Sequence, residues 1–312
     1  HMHHYKEDIA LMRHLGIRAY RFSLNWARIL PEGTGRVNEK AIAMYRDMIL
    51  TMKENGITPY LTLFHWEFPQ ALYERGGWQN PDVVQWFGEY AKVVAENFSD
   101  ICEYFITINE PQCVVGLGHL SGVHAPGVKL PVAQTFLVAH HLLMAHGQAV
   151  INLRRYALRP VKIGFAPTGG VAYPYTDRPE DIEAAKKVYF GFYNPIDNWT
   201  WNVSWFSDPV FLGHYPEEGL KKFAPYLPKI TQEDMKLIYQ PLDFMGQNIY
   251  NGYYVCAGAD GEPEFVDRAP GFPKTGSDWP VTPEAFYYGI KFLTERYPLP
   301  LYITENGMSC HD

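Results

Sequence analysis

Apolar positions Ile9, Leu11, Met12 and Leu15 recur at helical spacing, and Gly16 behind them supplies a C-cap, so residues 5–15 read as an amphipathic helix. The period then shortens, and Ala19-Tyr20-Arg21-Phe22-Ser23 reads as a strand. Asn38 caps a helix predicted to run to about Asn55-Gly56, and a strand over 59–64 follows. A helix over about 81–97 leads to the β-branched run Phe105-Ile106-Thr107-Ile108, which stops at Asn109-Glu110. A long helix near 131–156 precedes a strand over 161–166, and 179–198 is again helical. A loop-rich stretch to about 241 gives way to a strand over 243–250. An excursion over 253–273, a helix over 283–297 and a strand over 302–305 complete the series.

Alternating helices and short apolar strands predict a parallel sheet with helical crossovers. An open doubly wound sheet would want a glycine-rich phosphate turn, and neither GxGxxG nor a P-loop is present. The expectation is therefore an α/β protein of the (β/α)8 TIM-barrel type, with residues 1–312 forming one domain because no linker interrupts them. About six strands are legible where a closed barrel takes eight. The chain starts on a helix, so the first and last strands are expected to be missing and the barrel incomplete.

Composition narrows the partners. The 312 residues carry a net charge of −7, and no basic stripe is available to neutralise phosphates, which argues against nucleic acid. Cys102, Cys113, Cys256 and Cys310 show no CxxC spacing, which favours reduced thiols and a cytoplasmic location. No signal-peptide pattern opens the chain and no apolar run could span a bilayer, so no membrane partner is expected. Aromatic residues make up 15%, enough to supply rings that stack on sugar C–H faces as well as filling a core.

The candidate chemistry lies at two strand ends. Phe105-Ile106-Thr107-Ile108 leads into Glu110, and Leu301-Tyr302-Ile303-Thr304 leads into Glu305. In a parallel barrel, residues at the carboxyl ends of strands share one mouth however far apart they lie in sequence. Two carboxyl groups facing across such a mouth are what glycoside cleavage requires: one protonates the leaving oxygen, and the other attacks or activates water at the sugar carbon. Asn109 precedes one glutamate and Asn306 follows the other, so amide donors stand beside both. An acid must stay protonated, which a desolvated pocket favours, whereas a nucleophile must stay ionised, which nearby donors favour. Arg21 and the Tyr250 phenol are available donors for Glu305.

Seven segments in order carry a resemblance: Tyr5-Lys6-Glu7-Asp8, Tyr20 to Trp26 (YRFSLNW), Phe64 to Pro69 (FHWEFP), Thr107 to Pro111 (TINEP), His140 to Leu143 with Ala145-His146-Gly147, Asp243 to Tyr250 (DFMGQNIY), and Ile303 to Gly307 (ITENG). The chain resembles glycoside hydrolase family 1, the β-glucosidase family, over essentially its whole length. The resemblance implies a retaining mechanism through a covalent glycosyl-enzyme, with Glu110 as acid/base and Glu305 as nucleophile about 5–5.5 Å apart. It implies that Asn109 bonds the sugar 2-hydroxyl and that Arg21 and Tyr250 hold Glu305 ionised. It also places His65, Trp66 and Asn248 around the sugar, and Trp279 as a wall of the leaving-group subsite. No metal or organic cofactor is implied, and the partner is a small β-glycoside or oligosaccharide. Within the family a 6-phospho-β-glucosidase branch differs after the strand-end histidine and after the acid/base. The segments His65-Trp66-Glu67-Phe68-Pro69 and Asn109-Glu110-Pro111-Gln112 favour unphosphorylated β-glucosides, with β-galactosides or β-fucosides beside them.

Three other features have plainer readings. His140, His141 and His146 cluster on one predicted helix, but no carboxylates stand at ligand spacing, so a structural role outranks a metal. Trp199, Trp201 and Trp205 read as satellite core. An aldolase-type barrel would want a strand-end lysine, and none of the predicted strands ends in one.

The chain also departs from the family. The Gln-x-Glu-Gly segment of the first strand and the Trp and Glu of the last, which clamp the outer sugar hydroxyls, are absent. The alternative reading is accordingly a truncated, weakly active or non-catalytic sugar-binding fragment. Weak or no β-glucosidase activity is expected of this polypeptide alone, and open sheet edges would favour self-association.

Overall fold

The computed structural model describes residues 2–310. Nine strands are present among them: β1 (Ala19–Ser23), β2 (Thr58–Phe64), β3 (Tyr104–Asn109), β4 (Lys162–Ala166), β5 (Val171–Pro174), β6 (Phe244–Asn248), β7 (Gly252–Ala257), β8 (Pro263–Val266) and β9 (Leu301–Glu305). Six of them form one sheet in the order β1-β2-β3-β4-β6-β9, and β5, β7 and β8 form a second. The six strands of the main sheet fall where the sequence pattern puts them, to within a residue or two.

The chain divides into two compact units. The first comprises the residues up to Asn109 together with Leu137–Phe165 and Ile230–Asp243. In it β1 pairs with β2, and β2 with β3, in parallel register, Phe22 opposite Leu61 and Leu61 opposite Phe105. The helix Val83–Phe98 buries Val83, Phe87, Tyr90, Val94 and Phe98, an apolar stripe at spacings of three and four. Where β2 ends, Trp26 stacks on Tyr90 with ring centres 5.3 Å apart and meets Phe64, Phe68 and Phe87. Its indole N–H donates to the Gly33 carbonyl at 2.9 Å, so the one polar atom of this large buried ring is satisfied. This cluster brackets the turn that carries His65 and Trp66.

The long helix Val132–Tyr156 brings its three histidines to protein partners. The His141 Nδ1–H donates to the Trp78 carbonyl at 2.8 Å, His146 Nδ1 lies 2.6 Å from Thr107 Oγ1, and His140 Nε2 lies 3.4 Å from an Asp234 carboxylate oxygen. Burial lowers the pKa of His146 to about 3, so its ring is neutral. Next to it the helix presents Gly147, where a Cβ would stand 1.8 Å from the Leu237 carbonyl oxygen. Gly147→Ala is therefore expected to cost about 3 kcal/mol and to lower the thermal midpoint by roughly 5 °C in a calorimetric scan.

The second unit comprises Glu110–Phe136, Ala166–Lys229 and the chain from Phe244 onward. Here β6 and β9 pair in parallel, Met245 opposite Leu301 and Gln247 opposite Ile303. The register then slips, so that Asn248 faces Glu305 and Thr304 becomes the extra residue of a bulge. The small sheet sets β7 parallel to β5 and antiparallel to β8. The excursion over 253–273 thus contains a β-hairpin, over 253–266, that belongs to the second sheet. Each of its strands is too short, and too mixed in exposure, to show a period of two in the sequence.

The stretch expected to be loop-rich contains the helices Val203–Phe211, Glu217–Phe223 and Gln232–Ile238. Helix 179–198 stops earlier, at Phe190. Trp199 and Trp205 are buried, with Trp199 stacked on Phe136 at 3.8 Å between ring centres, so these two tryptophans are core. A further anchor is Asp208, whose carboxylate accepts from the Arg296 guanidinium at 2.5 Å and from the Tyr297 hydroxyl at 2.7 Å.

Candidate active site

In the first unit the strand ends gather a donor cluster. Arg21, on β1, donates from Nη2 to the Asn109 side-chain carbonyl at 2.8 Å, which fixes the orientation of that amide. The Asn109 Nδ2 then lies 3.2 Å from His65 Nε2, while Arg21 Nη2 lies 3.3 Å from His65 Nδ1. Both neighbours are donors, and a ring nitrogen that carries a hydrogen cannot accept, so at most one of these two contacts is a hydrogen bond. The Trp66 indole N–H donates to the Asn109 carbonyl at 3.3 Å. Trp66 itself adopts φ of 86°, a left-handed conformation that bulky residues rarely take. Thus Arg21 from β1, His65 and Trp66 from the turn after β2, and Asn109 from β3 form one polar group.

In the second unit the two glutamates are brought together. Glu110 follows β3 with φ of 42°, and acts as the N-cap residue of the helix Pro111–Val115. That backbone costs a non-glycine residue roughly 1–2 kcal/mol. It is held by the Glu110 N–H donating to the Ala166 carbonyl at 2.8 Å and by the Cys113 N–H donating to the Glu110 carbonyl at 3.0 Å. Glu110 is only 6% exposed. Asn248 donates from Nδ2 to Oε1 at 2.8 Å, and the Cys113 thiol donates to Oε2 at 3.2 Å.

Burial raises the Glu110 pKa above the usual carboxylate range, and the neighbouring charge of Glu305 adds to the rise. The Asn248, Cys113 and Thr168 donors oppose it without cancelling it. An acid that must keep its proton has the environment it needs.

Glu305 ends β9. Its Oε2 accepts from the Tyr250 hydroxyl at 2.5 Å, and the Tyr250 ring meets Trp279 edge-on at 5.4 Å between centres. Trp279 is half exposed, next to Asp278 at φ of 63°. Asn248 joins the two acids. It is the cross-strand partner of Glu305, it donates to Glu110, and its own carbonyl accepts from Thr304 Oγ1 at 2.6 Å. Read from the sequence as a donor near the sugar, Asn248 has its amide on the Glu110 carboxyl. Asn306 donates to the Ile249 carbonyl at 2.9 Å and so ties the segment after β9 to the one after β6.

Cys113, Thr168 and Thr304 were not picked out by the sequence pattern. A cysteine three residues beyond a capping glutamate was the available signal for the first. Thr168 lies beyond the end of β4, and only the fold brings it to Glu110.

Two strand-end carboxyl groups, one desolvated and one bonded by a phenol, on parallel strands with helical crossovers, are the groups that an acid-catalysed glycoside-cleaving barrel requires. The family model described as Glycosyl hydrolase family 1 matches residues 1–312, and the chain belongs to that family. It is 41% identical over 315 residues to the Thermotoga maritima protein named Beta-glucosidase A, covering 100% of this chain and 68% of that one. It is 40% identical to the 1,4-beta-D-glucan glucohydrolase of Thermotoga neapolitana, covering 100% of this chain and 71% of the relative. The solved Thermotoga maritima beta-glucosidase in complex with glucoimidazole superimposes with a TM-score of 0.85 at 41% identity, over 100% of this chain and 69% of that one. The fold class is therefore α/β of the TIM-barrel type, with six strands of the main sheet among the described residues. No helix among them is long and apolar enough to cross a membrane.

Proposed function

We propose that the chain is a retaining β-glycosidase acting on the non-reducing terminal β-D-glucosyl residue of small β-glycosides, with β-galactosyl and β-fucosyl units also accepted. The observation that carries this reading is Asn248, set opposite Glu305 across the strand pair while its amide donates to Glu110 at 2.8 Å. Two carboxyl groups that share one short side chain as neighbour can flank a single anomeric carbon.

In this mechanism Glu110, its pKa raised by burial, gives its proton to the leaving oxygen as the bond to the anomeric carbon breaks. Glu305 attacks that carbon from the opposite face and forms a glycosyl ester, while the Tyr250 hydroxyl keeps its carboxylate oriented. Water then enters, Glu110 takes its proton as general base, and the ester is hydrolysed with net retention. Asn109, held by Arg21, would bond the sugar 2-hydroxyl, and such a contact strengthens as the transition state forms. His65, Trp66 and Asn248 belong to the sugar side and Trp279 to the leaving-group side.

The family relatives named beta-glucosidase support the substrate class. None of these steps calls on a metal or organic cofactor. We place the work in one catalytic domain of a cytoplasmic protein. Incubation with a 2-deoxy-2-fluoro-β-glucoside and peptide mapping tests the reading. A mass adduct on Glu305 is the expected result, and an unlabelled chain, or a label elsewhere, would overturn it.

A further inference from the structure

The Glu110 carboxyl is contacted on both oxygens, by the Asn248 amide on Oε1 and by the Cys113 thiol on Oε2. The second contact arises locally. Because Glu110 is the N-cap residue, Cys113 lies in the first helical turn, and its backbone N–H already bonds the Glu110 carbonyl. In a capping box the residue at this place reaches back to the cap backbone. Here it reaches the cap side chain instead. Cys113 is 6% exposed, and burial, then the charge of Glu110 and its hydrogen bond, push the thiol up, so it stays S–H. The sulfur is a donor at this site and not a nucleophile.

The two contacts are built differently. Thr304 Oγ1 bonds the Asn248 carbonyl at 2.6 Å, which commits Nδ2 to face Glu110 whatever the protonation state. A thiol has one rotatable hydrogen, a weak donor on a soft atom, so turning it away costs little.

We propose that Cys113 is a positioning residue for the acid/base carboxyl: its S–H donates to Glu110 Oε2 while that group is ionised and turns away when it is protonated. The inference rests on the acid/base reading of Glu110 and deepens it. In the base half of the cycle the thiol joins Asn248 and Thr168 as a donor to the carboxylate, and in the acid half the proton takes the place of the thiol. The charged group that bears on both Cys113 and Glu110 is Glu305.

Infrared measurement of the S–H stretch across a pH titration of the intact chain tests this without turnover. The Cys113 band is identified by its loss in Cys113→Ala, against the bands of Cys102, Cys256 and Cys310. It is expected to move to lower frequency as pH rises through the Glu110 ionisation, and to stand still in Glu110→Gln. A Cys113 band that does not move in the unsubstituted chain would overturn the proposal, whether or not the chain cleaves glycosides.

The kinetic counterpart is a shift of the basic limb of kcat/KM, upward by about half a pH unit in Cys113→Ala and downward in Cys113→Ser, whose hydroxyl is the stronger donor. Limbs unmoved in both variants would count against the proposal equally. If the fluoro-sugar leaves Glu305 unlabelled while the S–H band follows pH, the donor contact stands and the glycosidase reading falls.

Discussion

Glu305→Gly is expected to abolish labelling by the fluoro-sugar and to lower kcat/KM for an aryl β-glucoside by at least about four orders of magnitude, or roughly 5 kcal/mol of barrier. The reason is geometric as well as chemical. The Glu305 carboxylate is anchored by the Tyr250 hydroxyl at 2.5 Å, and the register slip that makes Thr304 the extra residue sets Glu305 opposite Asn248. Glycine leaves a space where a small external anion can act. Azide is expected to restore turnover in part and to give an α-glycosyl azide, because attack on the vacated face inverts the anomeric centre once. Turnover of Glu305→Gly equal to that of the unsubstituted chain would remove Glu305 from the mechanism.

Glu110→Ala is expected to produce a loss that depends on the leaving group. With an alkyl or unactivated aryl glucoside kcat/KM falls by about 10²–10⁴-fold, since proton donation then decides the rate. With a dinitrophenyl glucoside, which departs without a proton, glycosyl-enzyme formation is nearly unchanged and the intermediate accumulates as a pre-steady-state burst. The pH profile gives a second reading. Glu110 must be protonated to act, so kcat/KM declines as pH rises through its pKa. Burial and the nearby Glu305 charge raise that pKa, so the basic limb lies above the ordinary range of a glutamate. In Glu110→Ala this limb is expected to vanish for the activated substrate. Equal losses for both substrates, with the limb retained, would assign the acid role to another group.

Much of this was legible in the chain because its signals are local. The main-sheet strands are short apolar runs bounded by helices with visible caps, such as Asn38 before Glu39–Glu54, whose side chain accepts from the Ala41 N–H at 3.4 Å. Glu110 and Glu305 stood out because each ends such a run. What escaped the pattern was structure stabilised by partners distant in sequence. The hairpin of β7 and β8 is completed by β5, about 80 residues earlier, and neither strand alternates cleanly. The helix Val203–Phe211 carries an internal Pro209 and is buried all round, so it lacks the polar face by which a helix is recognised.

The same division runs through the functional residues. By itself the sequence determined which side chains are present at the strand ends, because hydrophobic period and capping chemistry act between residues a few positions apart. Only the tertiary structure decided what each of them touches: Arg21 on Asn109, Asn248 on Glu110, Tyr250 on Glu305, the Cys113 thiol on the acid. Three of those four contacts join residues more than fifty positions apart, and desolvation, which sets the Glu110 pKa, is a property of everything packed around a group. Neither quantity is written in any short window of the chain.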